Sequence, residues 1–353
     1  MSNCLFESVK IGNTVLSSRI AMSPMTRNRA DENGDPNDLM VEYYRQRNSF
    51  GLIITEGTAP SQLGKAYPLI PGIFTDAQVE RWKKVTAAVH SGSAKIFMQL
   101  MHSGRIGHIA NSGLAPQGPS AVRPAGEIAT PVGNQSLALP TEMSVEDILS
   151  AQESYVTAAR NAIVAGFDGV ELHAANGYLL QQFLSGNSNV RRDNYGGPPQ
   201  NRIRFVLEVV KQVADAIGAE NVAIRVSPGG TFNDIHESDI EVVYELLLKE
   251  LNKLGLAYLH IADQAEFNGI GFCRQLWHGV LVVNSGYGDK DKIATAKALI
   301  ENGTADIFSF GRVALSNPDL PRRLKEGLPL NLANSKTFYS GAERGYTDYP
   351  TTG

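Results

Sequence analysis

The stretch "LHAANGYLLQQFLS", residues 172–185, begins as an apolar strand and ends as a helix. Within six residues it sets an imidazole, a carboxamide and a phenol: His173, Asn176 and Tyr178. Three polar groups that can donate or accept hydrogen bonds, crowded where a strand gives out, have the look of a site. Two more polar side chains interrupt other apolar runs. Arg225 lies inside "NVAIRVSP", where a guanidinium needs an anion or carbonyl partner because an unpaired buried charge is costly. Gln99 lies inside "AKIFMQLMH" and brings two donors and an acceptor. The plain alternatives are a structural ion pair of Arg225 with a glutamate such as Glu171, and a satisfied core glutamine.

These residues need a scaffold, and the chain supplies a regular one. After an opening "VKIGNTVLSSRI", which reads as a β-hairpin around Gly12-Asn13, eight short apolar runs recur at 19–25, 51–57, 94–102, 167–175, 221–228, 256–263, 279–288 and 305–312. Amphipathic segments lie between them, among them "TDAQVERWKKVTAAVHSG", "MSVEDILSAQESYVTAARNAIVAG" and "DKIATAKALIENG". Thr75-Asp76 and Ser144 read as caps, and glycines close the helices. Strand–helix alternation of this length predicts parallel strands joined by right-handed crossovers, and eight units predict a single (β/α)8 barrel over residues 1–353. One region breaks the pattern. Residues 103–142 are rich in Gly, Pro, Ser and Asn and follow the third strand, so they are expected to form a capping insertion over the C-terminal face. Neither a GxGxxG turn after the first strand nor a Walker A loop is present, which disfavours the doubly wound nucleotide folds.

Composition narrows the function classes. Of 353 residues, 42% are hydrophobic and 19% charged, with a net charge of −4. That balance suits a globular chain and offers no basic surface for nucleic acid or anionic lipid. Two cysteines without a CxxC exclude an iron–sulfur cluster, a cysteine-rich zinc site and a disulfide framework; no metal is expected. No signal peptide and no membrane-length apolar run are seen, so a cytoplasmic protein is expected.

In such a barrel, chemistry gathers at the C-terminal strand ends. The seventh run leads into "NSGYG" (284–288) and the eighth into "FGRVALSNPDL" (310–320). Flexible glycine backbone in the first and an arginine fork in the second suit a phosphate, although Gly286 and Gly288 could equally mark an ordinary tight turn. An amide at Gln99 and a cation at Arg225 would meet the edge of a carbonyl-rich ring. Together these describe a flavin mononucleotide; a sugar phosphate would fit the phosphate site as well.

The chain resembles the old yellow enzyme family of FMN-dependent ene-reductases over nearly its whole length. The matching stretches are "SRIAMSPMTRNRA" (18–30), "QLMHSGR" (99–105), "HAANGYLLQQFLS" (173–185), "NVRRDNYGG…NRIRF" (189–205), "IRVSP" (224–228), "FGR…SNPDL" (310–320) and "TFYSGAERGYTDYP" (337–350). The resemblance implies that Pro24, Met25 and Thr26 lie against the flavin, and that Gly57, Gln99 and Arg225 contact its ring. Gly286, Gly311 and Arg312 would hold its phosphate. His173 and Asn176 would grip the substrate's carbonyl or nitro oxygen, and Tyr178 would donate a proton to the α-carbon after hydride from flavin N5 reaches the β-carbon. Tyr67, Met101 and Tyr346 would line the substrate pocket. The implied reaction is NADPH- or NADH-dependent reduction of activated C=C bonds in enones and nitroalkenes by a monomer or homodimer, with nitroester or nitroaromatic reduction as the alternative. Two positions depart from the pattern. Met101 stands where many members carry Trp, which should reshape the pocket, and Asn176 stands where some carry a second His. A lysine-based aldolase is disfavoured because Lys95 lies at the wrong end of its strand.

Overall fold

The computed structural model describes residues 4–263, 266–286 and 291–352. A hairpin comes first: β1 (Val9–Ile11) pairs antiparallel with β2 (Thr14–Leu16). Its turn needs glycine twice over. Gly12 has φ +48°, and a Cβ there would sit 2.0 Å from the Glu220 carbonyl oxygen.

The barrel begins with β3 (Ile20–Met22), β4 (Leu52–Ile54) and β5 (Lys95–Leu100). Four short strands then occur in the insertion: β6 (Gln117–Gly118), β7 (Glu127–Thr130), β8 (Gly133–Ser136) and β9 (Thr141–Glu142). The barrel resumes with β10 (Gly169–Ala174), β11 (Val222–Val226), β12 (Tyr258–Ala262), β13 (Leu281–Asn284) and β14 (Ile307–Phe310). All eight barrel strands are parallel, and the sheet closes where β10 meets β5. The eight apolar runs thus become a (β/α)8 barrel. Every residue of β10, β11 and β12 is buried, as strands covered on both faces by core and helices must be.

Local chemistry fixes the crossovers. The helix Asp76–His90 starts at a capping box in which the Thr75 hydroxyl accepts from Gln78 N–H and the Gln78 side chain reaches back. Ser144 and Asp147 do the same for the helix Val145–Val164. Inside the barrel, Leu52, Ile54, Phe97, Tyr258 and Val282 form one apolar cluster, which Ile11 and Leu16 of the hairpin join.

Residues 103–142 are built, not slack. β7 and β8 make an antiparallel hairpin, and β6 pairs with β9. Ile128 and Leu137 from this segment pack with Ile70, Met101, Ile106 and Tyr178 in a separate apolar cluster. The insertion therefore has its own core, and that core includes two residues singled out as site candidates. Among the described residues no helix is long and apolar enough to cross a membrane.

Candidate active site

A cavity of about 410 Å³ opens at the C-terminal ends of the strands. It is lined by Pro24, Met25 and Thr26 after β3, Gln99 and Met101 on and after β5, His173, Asn176 and Tyr178 at the end of β10, and Arg225 on β11. Gly286, Gly311, Arg312 and Tyr67 complete the set of sequence candidates that reach it.

The turn after β10 explains the local sequence. Asn176 and Gly177 both adopt left-handed backbone, φ 56° and 72°. Asparagine tolerates that region and glycine favours it. A Cβ on Gly177 would also meet the Phe232 carbonyl oxygen at 2.6 Å. Three side chains pin the turn. Asn176 N–H donates to Ser227 Oγ at 3.0 Å, Gly177 N–H donates to Gln181 Oε1 at 2.8 Å, and Asn233 Nδ2 donates to the Asn176 carbonyl at 2.8 Å. The reversal delivers Tyr178 to the start of the helix Leu179–Leu184, its ring 5.2 Å from that of His173. The Tyr178 and Tyr67 hydroxyls are 2.9 Å apart.

Strand register builds the floor. Parallel pairing sets His173 beside Arg225 and Arg225 beside His260, while Gln99 is beside Glu171. Burial, then the Arg225 and His260 charges, push the His173 imidazole well below its ordinary pKa, so the ring is neutral near pH 7. Its Nδ1 is buried and has no hydrogen-bond partner within the protein. A buried polar atom without a partner, on a residue that lines a cavity, is a candidate for a ligand's hydrogen bond.

At the β13–β14 side, the Asn284 side chain donates to the Ser309 carbonyl at 2.9 Å. Gly286 has φ +83°, and a Cβ on Gly311 would meet nothing within 4 Å, leaving open space against the backbone. Arg312 lies there, its guanidinium 5.7 Å from the Phe338 ring centre. Lys292 was passed over in the sequence. It begins the helix Lys292–Glu301, donates to the Ser285 carbonyl at 2.6 Å and lines the same cavity. A lysine in the first turn after a glycine-containing strand end would have flagged it. Tyr287 and Gly288 lie outside the described residues.

One expectation is corrected. Tyr346 does not reach the mouth. It is fully buried, stacked on Tyr43 at 4.1 Å, with the Arg27 and Arg29 guanidinium carbons 5.0 and 4.8 Å from its ring centre. Two cations on an aromatic face hold it in the core. Phe338 and Tyr339 of the same tail segment line the cavity instead. Gly57 lies against Met101. A Cβ there would lie 2.6 Å from Met101 Sδ, so this glycine makes room for the methionine that lines the cavity. Ala129 of the insertion and Phe232 after β11 also reach the cavity, and neither was anticipated.

The architecture and cavity define a (β/α)8 barrel with a site at its C-terminal face, and the comparisons with known proteins make it an oxidoreductase. The model of the NADH:flavin oxidoreductase / NADH oxidase family matches residues 4–331. A probable flavin mononucleotide-dependent alkene reductase of Leishmania infantum is 39% identical, covering 98% of this chain and 97% of the relative. Among solved structures, the old yellow enzyme homologue from Zymomonas mobilis superposes with a TM-score of 0.94 at 39% identity, over 98% of this chain and 99% of that one. Morphinone reductase in complex with tetrahydroNAD gives 0.94 at 38% identity, over 100% and 98%. The chain belongs to the old yellow enzyme family. It is an FMN-dependent NAD(P)H oxidoreductase.

Proposed function

We propose that this enzyme reduces the C=C bond of α,β-unsaturated carbonyls and nitroalkenes, with His173 and Asn176 binding the activating oxygen and Tyr178 supplying the proton. The observation that carries the reading is the neutral, buried His173, with an unmatched ring nitrogen, beside a phenol on the same wall of the cavity.

The residues fit FMN. The open space at Gly311, with Arg312 and Lys292 nearby, suits a phosphate dianion. Gln99 and Arg225 supply an amide and a cation for the edge of the ring, and Pro24, Met25 and Thr26 offer a face. The Pro24–Thr26 segment is fastened at both ends: Ser23 N–H donates to the Phe310 carbonyl at 2.9 Å and Arg27 N–H to Glu56 Oε2 at 3.1 Å. When bound, FMN supplies the hydride that NAD(P)H provides and that the alkene takes up at its β-carbon.

The chain's own groups do the rest. A neutral imidazole and a carboxamide donate to the substrate oxygen and draw charge from the double bond without placing a second full cation beside Arg225. Tyr178 protonates the α-carbon as a general acid. Tyr67, 2.9 Å from its oxygen, is placed to donate to the phenolate that forms. Met101 and Ala129 give the substrate side an apolar wall with a flexible thioether. The relatives' names favour alkene reduction over nitroester or nitroaromatic reduction.

The test is anaerobic stopped-flow spectroscopy of the reduced holoenzyme against cyclohexenone, a nitroalkene and a nitrate ester. Fast reoxidation by the alkenes supports the proposal. Reoxidation by the nitrate ester alone would overturn it.

A further inference from the structure

One buried acid has no part in the mechanism above. Glu171 is fully enclosed on β10. Burial pushes its carboxyl up, but His260, Arg225 and the Gln99 amide outweigh that and hold it below the ordinary range, so it is ionised. Its Oε1 accepts from Gln99 Nε2 at 2.8 Å, and its Oε2 is 2.8 Å from His260 Nδ1. His260 Nε2 is in turn 2.8 Å from Ser309 Oγ. Burial lowers the His260 pKa while the Glu171 charge raises it; a carboxylate only accepts, so Nδ1–H donates to Glu171. The chain Ser309–His260–Glu171–Gln99 therefore crosses the barrel from β14 to β5, and both of its ends line the cavity, as does Arg225.

Packing alone does not call for this. Well-packed apolar side chains of similar volume usually replace a buried ionic group at no loss of stability. The charge has a different consequence. A carboxylate can only accept, so Gln99 must turn its NH2 towards Glu171, which fixes the amide's orientation. The same negative charge offsets the Arg225 cation from the layer beneath.

We propose that Glu171 is a positioning residue that sets the orientation of the Gln99 amide and the net charge felt from Arg225, and so holds down the reduction potential of the flavin. This rests on the FMN reading above. A lower potential makes the reduced cofactor a stronger hydride donor to alkenes of modest reactivity.

The test is Glu171→Gln, measured as the midpoint potential of the flavin-loaded protein by anaerobic dye-coupled titration. Removing the charge takes a nearby negative charge away from Arg225 and frees the Gln99 amide to flip. The preference for reduced over oxidised flavin is expected to rise about tenfold or more, which is about 30 mV or more upward for a two-electron couple. Reoxidation by cyclohexenone should slow while reduction by NAD(P)H does not. Because a half-removed buried pair can destabilise a core, the paired variant Glu171→Leu with His260→Leu serves as the second arm and should shift in the same direction. A potential within twofold of wild type, about 9 mV, in either loaded variant overturns the inference. So does loss of flavin from both variants, which would mark a purely structural role. A wild-type protein that holds no FMN would instead sink the functional reading on which this one rests.

Discussion

Replacing Tyr178 by Phe separates the two halves of the catalytic cycle. The phenol is nine-tenths or more buried, its ring is 5.2 Å from His173, and its hydroxyl is 2.9 Å from that of Tyr67. Phenylalanine keeps the ring and deletes only the proton donor. A positioned general acid is worth about 10²–10⁴ in rate, or about 2.7–5.4 kcal/mol of barrier. Enone-dependent reoxidation should slow by that factor, while reduction by NAD(P)H, which needs no such proton, should stay within about threefold of wild type. Tyr67→Phe should cost less. One neutral hydrogen bond contributes about 1 kcal/mol, so a slowing of about fivefold is expected. Because Tyr67 acts through Tyr178, adding Tyr67→Phe to Tyr178→Phe should change nothing further, a non-additivity that a double-mutant cycle reads directly. The assay is stopped-flow absorbance of the flavin in separate half-reactions. Unaltered enone reoxidation in Tyr178→Phe, or additive effects in the double variant, would refute the reasoning.

Lys292→Met should weaken retention of FMN about tenfold by removing one phosphate-facing cation, and leave riboflavin binding unchanged; flavin fluorescence released on dilution of the holoenzyme measures both. His173→Ala should weaken binding of para-substituted phenols at least about tenfold, with loss of their long-wavelength charge-transfer absorbance, since a donor to the ligand oxygen is gone. Glu56 gives a pH dependence. Burial raises its carboxyl from 4.5 to about 7, so the folded chain holds this proton more tightly than the unfolded one. Its contribution to stability is therefore full below pH 4.5 and fades as pH rises through about 7, by an amount on the order of 3 kcal/mol. Glu56→Gln should flatten that part of the melting-temperature profile between pH 5 and 8, and an unchanged slope would count against it.

Much of the barrel could be read from sequence because its signals are local. Each strand is a short apolar run, and long crossover helices such as Asp76–His90 and Val145–Val164 start at their own caps, Thr75 and Ser144. The candidate site at the end of β10 was equally legible, because His173, Asn176 and Tyr178 lie within one segment where an apolar strand gives out. Gln99 and Arg225 stood out because a polar group in an apolar run must be paid for by a partner. Tyr346 was misread for a long-range reason. The tail has no periodicity of its own, and its path is set by Arg27 and Arg29 some 300 residues earlier. Arg27 Nε donates to the Phe338 carbonyl at 2.9 Å, and Arg29 donates to the Thr337 carbonyl at 2.9 Å and to that of Ser340 at 2.5 Å. That clamp turns Tyr346 into the core and leaves Phe338 and Tyr339 at the cavity.

The most direct test of the whole account is the origin of the two hydrogens in a reduced enone. Turnover of 2-methylcyclohexenone with nicotinamide cofactor deuterated at C4 on the transferred face should place deuterium at the β-carbon only. Turnover in D2O with unlabelled cofactor should place it at the α-carbon. Deuterium from solvent at the β-carbon, or an allylic alcohol with the C=C bond intact, would contradict the account.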